Sequence, residues 1–362
     1  MTYGDYPALN NIKKILVVKL RQLGDVLLTG PVFKGLKHRF PNANIDAYIY
    51  KEAFPMLEGH PDIHQLIGYD RKWKQLSLWK RLRQEWALWK QIRQARYDLV
   101  INLTEGDRGA LAAKISRAPV RVGFEPKGKW QKDLYTHVVK HCPTLRHTVE
   151  KNLDALRRIG IFPPLEQREL FLSLTQEAKT RVEGSVNSPF VLIHPTSRWR
   201  FKCWPAEKMR ALTEILLRKG KQVVFTAGPD AAEQEMVAQI TEGLDVLNLS
   251  GKISLQDLAA WIDRSELLVC VDSVPFHMAN ALKKRVVALF GPTSDVTWGP
   301  WRNPDARIVA QNISCRPCYM DGCGGSKMSD CLATLDVRSV IRAIDDLEIT
   351  GGVPYSLKSS PR

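Results

Sequence analysis

A chain of 362 residues, 44% hydrophobic and 25% charged, has the composition of a soluble globular protein and is long enough for two cored domains. Its apolar runs, such as 15–18 and 267–271, fall far short of the roughly 20 residues that span a bilayer, and Asn10, Lys13 and Lys14 interrupt any signal-peptide pattern, so a cytoplasmic protein is expected. The net charge of +15 predicts attraction to polyanions: nucleic acid, anionic lipid or a phosphorylated substrate.

In chain order, Lys14 to Leu20 reads as a strand, since Ile15-Leu16-Val17-Val18 is apolar and rich in β-branched residues. A helix follows to about Phe40, and Ile45 to Tyr50 is a second, alternating strand. A βαβ unit at the start makes a parallel sheet the default. Gly24 lets the intervening loop turn tightly, and Asp25 falls in the first helical turn. Asp25 reads either as a helix N-cap or as a carboxylate at the C-terminal edge of a parallel strand, kept ionised by the helix dipole and suited to general-base work.

Residues 70–98 are the most unusual stretch. Between Arg71 and Arg96 there are nine Lys or Arg against one acid, Glu85. Leu78, Trp79, Leu82, Trp86 and Trp89 share one helical face, flanked by Lys80, Arg81, Lys90 and Arg93. Three roles fit: a surface helix packing its apolar face on the sheet, an interfacial helix with tryptophans at the lipid headgroups, or a platform for single-stranded nucleic acid. Packing with some lipid attraction is the preferred one. Tyr97 to Leu103 and Val120 to Phe124 are further strands, a helix covers His147 to Ile159, and a linker begins within Ile161 to Glu169.

The second half repeats the rhythm. Thr175 to Ser188 is polar and helix-like, and Phe190 to Ile193 is a short buried strand ended by His194-Pro195. The polar loop from Thr196 to Cys203 leads into a helix opening at Trp204-Pro205-Ala206-Glu207, with Pro205 at its first position. Backbone N–H groups, two hydroxyls and cations converge there as an anion site, unless the loop is an ordinary strand-to-helix connection. Gln222 to Thr226, Val246 to Leu249, Leu267 to Val271 and Val286 to Phe290 are strands, and Ser254 with Asp257 makes a capping box. The class is α/β, with two Rossmann-like halves: 1–170, 171–340, and a helix end with a disordered tail over 341–362.

Four segments occur in register: Lys19 with Gly24-Asp25; His194-Pro195-Thr196-Ser197 with Lys202-Cys203-Trp204-Pro205; Asp272-Ser273-Val274-Pro275-Phe276-His277; and Leu289-Phe290-Gly291-Pro292-Thr293. Together they resemble the bacterial lipopolysaccharide heptosyltransferases, glycosyltransferase family 9, from about Lys13 to Leu347, and most resemble the heptosyltransferase III branch. The resemblance implies a GT-B fold, two facing Rossmann-like domains with an interdomain active-site cleft, the first domain taking the acceptor and the second the ADP-sugar donor. It implies an inverting, metal-independent transfer from ADP-L-glycero-D-manno-heptose to an inner-core heptose of lipopolysaccharide.

By the same resemblance Asp25 is the catalytic base, and Thr196, Ser197 and Lys202 hold the donor diphosphate, Lys202 also stabilising its growing charge. Asp272 faces the donor heptose, with Ser273 and His277 in its motif. Glu233 contacts the ribose, with Glu235 as the alternative, and Gly291, Pro292 and Thr293 line the phosphates. Lys19, Arg21, Gly24, Arg108 and Arg121 are the acceptor-side candidates. Two departures, Val274 where many relatives have glycine and one extra residue between Ser197 and Lys202, fit the third-heptose branch.

A lipid-linked acceptor would hold the enzyme on the cytoplasmic face of the inner membrane, its basic tryptophan helix against the anionic surface, and no nucleic acid is expected as partner. Cys315, Cys318, Cys323 and Cys331 could hold a structural Zn²⁺, but only one pair has tight zinc-ribbon spacing, so a reduced loop is preferred and no cofactor is expected. The competing functions are a basic nucleic-acid-binding protein and a GT-B epimerase or transferase of another sugar.

Overall fold

The computed structural model describes residues 6–125, 134–186 and 189–350; the tail expected to be disordered after Gly351 lies outside them. The chain divides into two compact units, Met1–Ser173 and Leu174–Arg362. No described helix is long and apolar enough to cross a membrane.

The first unit is built on six strands: β1 (Lys14–Lys19), β2 (Asn44–Tyr50), β3 (Gln65–Tyr69), β4 (Leu99–Asn102), β5 (Val120–Phe124) and β6 (His137–Val139). They pair in parallel in the order β3-β2-β1-β4-β5-β6. β1 and β4 are buried almost throughout, which is why they read as continuous apolar runs. α1 (Leu23–Leu27) and α2 (Gly30–Arg39) follow β1, α3 (Leu78–Gln94) precedes β4, α4 (Asp107–Ser116) follows it, and α5 (Thr148–Arg157) comes after β6. α4 is made close-packing by its small residues: Ala110, Ala112 and Ala113 are buried, and a Cβ on Gly109 would lie 2.4 Å from the Asn102 side chain.

The roll of α3 differs from the expected one. Leu88 and Ile92 face the core, with Trp89 partly buried beside them. Leu78, Trp79, Leu82 and Trp86, expected to pack on the sheet, are 64%, 81%, 49% and 63% exposed. The physical reason is polar: Glu85 turns inward to receive two 2.7 Å hydrogen bonds from Arg108 of α4.

In the second unit α6 (Gln176–Val182), capped by Thr175, leads to β7 (Phe190–His194). There follow α7 (Ala206–Arg218), β8 (Gln222–Phe225), α8 (Ala231–Thr241), β9 (Leu247–Asn248), α9 (Leu255–Arg264), β10 (Leu267–Val271), α10 (Val274–Ala281), β11 (Val286–Leu289), α11 (Asp295–Trp298), β12 (Ala306–Val309), α12 (Asp330–Ala333) and α13 (Val337–Thr350). The parallel order β12-β11-β10-β7-β8-β9 reproduces that of the first unit. The Ser254–Asp257 capping box forms at the start of α9. Pro205 sits at the N-cap of α7 instead of its first helical position, and Trp204 is fully buried with Nε1 donating to the Leu335 carbonyl.

In each sheet the strand order reverses once, between β1 and β4 and between β7 and β10. The carboxyl ends of strands at such a reversal are the usual ligand position in doubly wound sheets.

Candidate functional site

The second unit fills its switch point with polar side chains. Lys202 lies on a single 3-10 turn, Arg200–Lys202, in the loop after β7, and Asp272 directly follows β10. Lys202 Nζ donates to Asp272 Oδ2 at 2.7 Å. Thr293, beyond β11, donates its hydroxyl to the same oxygen at 2.6 Å. On the other side of β7, Thr196 Oγ1 donates to Glu233 Oε2 at 2.7 Å, and the Gly228 N–H after β8 donates to that oxygen at 3.2 Å. Four strand ends thus present a cation, two carboxylates and two hydroxyls along one sheet edge. Glu233 is drawn in by these bonds, whereas Glu235 is exposed on the outer side of α8.

The remaining donor-side candidates shape this edge. The Ser197 N–H donates to Cys203 Sγ at 3.3 Å, and Ser197 Oγ accepts from the Trp199 N–H at 3.3 Å. Cys203 therefore closes the loop on itself, a role no spacing signal announced. Burial raises its thiol pKa to about 11, so it acts as a neutral hydrogen-bonding group. Burial lowers the pKa of His194 to about 4, and this neutral ring shares a 3.0 Å hydrogen bond with the Thr226 hydroxyl.

Ser273 is the N-cap residue of α10 in extended conformation, its hydroxyl donating to the Val271 carbonyl at 3.2 Å. Val274 is the first helical residue and is not among the positive-φ positions, so valine fits where many relatives carry glycine. His277 is buried one turn on, against Phe276 and Trp298. A Cβ on Gly291 would meet Leu332 at 2.6 Å. The Gly291 carbonyl accepts from Arg316 Nε at 2.6 Å, and the Pro292 carbonyl accepts from the Cys318 and Tyr319 N–H groups. The cysteine-containing segment is thus a buttress for the Gly291-Pro292-Thr293 loop. Among the described residues no group of three His, Cys, Asp or Glu is arranged to hold a metal ion.

In the first unit Asp25 is the third residue of α1, with Gln22 at the cap position, so it is not the N-cap. Lys19 is buried. Its Nζ donates at 3.1 Å to the Leu103 carbonyl and to Asn152 Oδ1, and Asn152 Nδ2 in turn donates to the Leu28 carbonyl just past α1. Burial lowers the Lys19 pKa to about 8, partly offset by the Asp25 carboxylate. Lys19 and Asn152 together tie the end of β1 to the segment that carries Asp25. Gly24 is buried, and its carbonyl accepts from the Leu28 N–H.

The other three acceptor-side candidates divide. Arg21 is exposed. Arg121 donates to the Leu134 and Ala118 carbonyls. Arg108 is clamped on Glu85 and stacked 3.9 Å over the Tyr69 ring. The structure brings Lys19 close to Asp25 and commits Arg108 and Arg121 to partners inside the fold.

Two parallel six-stranded sheets of the same strand order make this a GT-B architecture. Comparison with known proteins agrees. The family model described as glycosyltransferase family 9 (heptosyltransferase) matches residues 85–328. Lipopolysaccharide heptosyltransferase 3 of Escherichia coli strain K12 is 34% identical over 316 residues, which is 82% of this chain and 88% of that one. The crystal structure of the glycosyl transferase family 9 from Veillonella parvula superposes with a TM-score of 0.78 at 24% identity, covering 92% of this chain and 97% of the other. The E. coli ADP-heptose lps heptosyltransferase II superposes with 0.76 at 22% identity, over 93% and 99%. The chain belongs to glycosyltransferase family 9.

Proposed function

We propose that this protein transfers L-glycero-D-manno-heptose from ADP-L-glycero-D-manno-heptose to an inner-core heptose of lipopolysaccharide, with inversion at the anomeric carbon. The observation that carries the reading is the Lys202–Asp272–Thr293 cluster beside Thr196–Glu233 at the switch point of the second unit, in a chain whose relatives bear heptosyltransferase names. The second unit is the donor domain. Glu233 receives the ribose hydroxyls; Thr196, Ser197, Lys202 and the Gly291-Pro292-Thr293 loop receive the diphosphate; Asp272, with Ser273 and His277 behind it, faces the heptose.

The first unit is the acceptor domain, and Asp25 removes the proton from the attacking hydroxyl. A bond then forms from that oxygen to the anomeric carbon while the bond from the same carbon to the diphosphate breaks, and ADP departs with the electron pair. Lys202 neutralises the charge that grows on the leaving diphosphate. A preorganised donor at such a position contributes about 3 kcal/mol in the transition state, and the reaction needs no metal. Arg21, exposed just after β1, is the acceptor-side cation on this reading, and Lys19 positions Asp25. Because the acceptor is lipid-anchored, the enzyme works as a peripheral protein on the cytoplasmic face of the inner membrane, and nucleic acid is not a substrate.

The test supplies purified protein with ADP-heptose, UDP- or GDP-sugars, and lipopolysaccharide acceptors truncated at successive core positions, in buffer with a chelator. The expected result is one new heptose linkage on an inner-core heptose, formed from ADP-heptose alone. Turnover with a different sugar nucleotide, or transfer to another core sugar, overturns the assignment.

A further inference from the structure

We propose that the outward face of α3 docks the first unit onto an anionic lipid bilayer. Its stripe consists of Leu78, Trp79, Leu82 and Trp86, all exposed, and the side next to it carries Lys80, Arg83 and Lys90, exposed as well. The helix is 17 residues long, and at 1.5 Å per residue the face from Leu78 to Lys90 extends about 18 Å. Apolar groups in a stripe with cations along its border suit the headgroup boundary: the rings enter the interface while the lysine and arginine stems reach back to the phosphates.

The roll of the helix is fixed, not incidental. Glu85, the only acid between Arg71 and Arg96, is turned away from this face by its paired hydrogen bonds to Arg108. Arg108 in turn lies over the Tyr69 ring, with Trp89 5.6 Å from its guanidinium carbon. Rotating α3 to bury Trp79 and Trp86 would break that clamp and strand a buried charge. The clamp therefore removes the one negative group from the outer face and leaves the tryptophans out.

Charge complementarity selects the occupant. A second copy of the chain would set cation against cation, with no acid on this face to pair. Single-stranded nucleic acid would need several free ring faces in a row for stacking, yet Lys90 Nζ lies 4.9 Å over the Trp86 ring, which leaves Trp79 as the uncovered ring of the stripe. An anionic bilayer satisfies both the cations and the rings.

The full-length protein is to be sedimented with vesicles of phosphatidylcholine alone and of phosphatidylcholine mixed with phosphatidylglycerol, without any substrate, so the result stands apart from the proposed reaction. The wild type should bind the anionic vesicles and leave the neutral ones. A Lys80→Gln, Arg83→Gln, Lys90→Gln variant should bind roughly a hundredfold more weakly, at about 1 kcal/mol per cation near an anionic surface. A Trp79→Ser, Trp86→Ser variant should lose roughly tenfold or more. All are surface changes, and an unaltered melting temperature checks that each variant is folded. Wild-type affinity in both folded variants overturns the proposal. So does a wild-type dimer that the tryptophan changes dissolve, or single-stranded RNA binding that outcompetes the vesicles.

Discussion

Lys202 and Asp272, 70 residues apart in sequence, meet in a 2.7 Å ion pair, with the carboxylate side chain 5% exposed and the lysine side chain 19% exposed. The pair joins the loops on either side of the switch point, and Thr293 completes it with a second bond to the same oxygen. On the proposed reading a diphosphate at Lys202 shares the ammonium with Asp272, so the two members should respond differently to substitution.

Asp272→Asn removes the competitor and the nearby negative charge. ADP should bind about tenfold more tightly, while turnover falls. Calorimetry with ADP and initial rates on the same variant check both; weaker ADP binding would show that the carboxylate does not compete with the diphosphate for Lys202. Lys202→Ala should weaken ADP binding, lower the rate roughly a hundred- to a thousandfold, and cost up to about 3 kcal/mol of stability through the unpaired carboxylate.

Asp25→Asn should leave ADP affinity at the wild-type value and reduce kcat roughly 10²–10⁴-fold. Lys19→Met and Asn152→Leu act on the same group from behind, through the bonds that tie β1 to the segment around α1. Both should lower kcat with ADP affinity unchanged, and both should leave the acceptor KM nearly constant. A selective rise in acceptor KM for Lys19→Met would make Lys19 a substrate ligand instead.

Cys203 supports the loop that carries Ser197 through the bond from the Ser197 N–H. Cys203→Ala should raise the Kd for ADP severalfold, about 1 kcal/mol for one lost hydrogen bond, and Cys203→Ser should recover most of that. Equal defects in both variants would point to packing, not to the bond.

Acid should destabilise the protein through two buried histidines. Burial holds His60 and His194 near pKa 4, below the value of about 6.5 in the unfolded chain. Between those values the unfolded state binds more protons, so stability falls as pH drops through 6.5 and the loss is complete below about 4. Near pH 5 each histidine should cost about 2 kcal/mol relative to neutral pH. Urea midpoints at the two pH values measure this, and His194→Gln should flatten the acid limb by about half.

What the sequence shows most clearly is where strands end in chemistry. β1, β7, β10 and β11 are mostly buried and apolar, with two or three β-branched residues each, so the polar residues after them, Asp25, Thr196, Asp272 and Thr293, mark the sheet edge. β3, β6 and β12 were not anticipated. All three are edge strands of three to five residues, held by pairing that local pattern does not report. Helical period identifies the aromatic face of α3 but not which face meets the sheet; that depended on Arg108, 23 residues from Glu85. Asn152 and Arg316 were missed for the same reason, since each reaches its partner from a distant segment.

The buttress under the Gly291-Pro292-Thr293 loop gives the cysteine-containing segment a reach beyond its own surface position. Any event that reshapes residues 315–331, such as alkylation of the exposed Cys315 or Cys323, is transmitted through the Arg316 and Pro292 contacts to the oxygen where Thr293 and Lys202 meet. On the proposed reading, a thiol reagent that touches neither residue would leave an enzyme with a raised KM for the nucleotide donor.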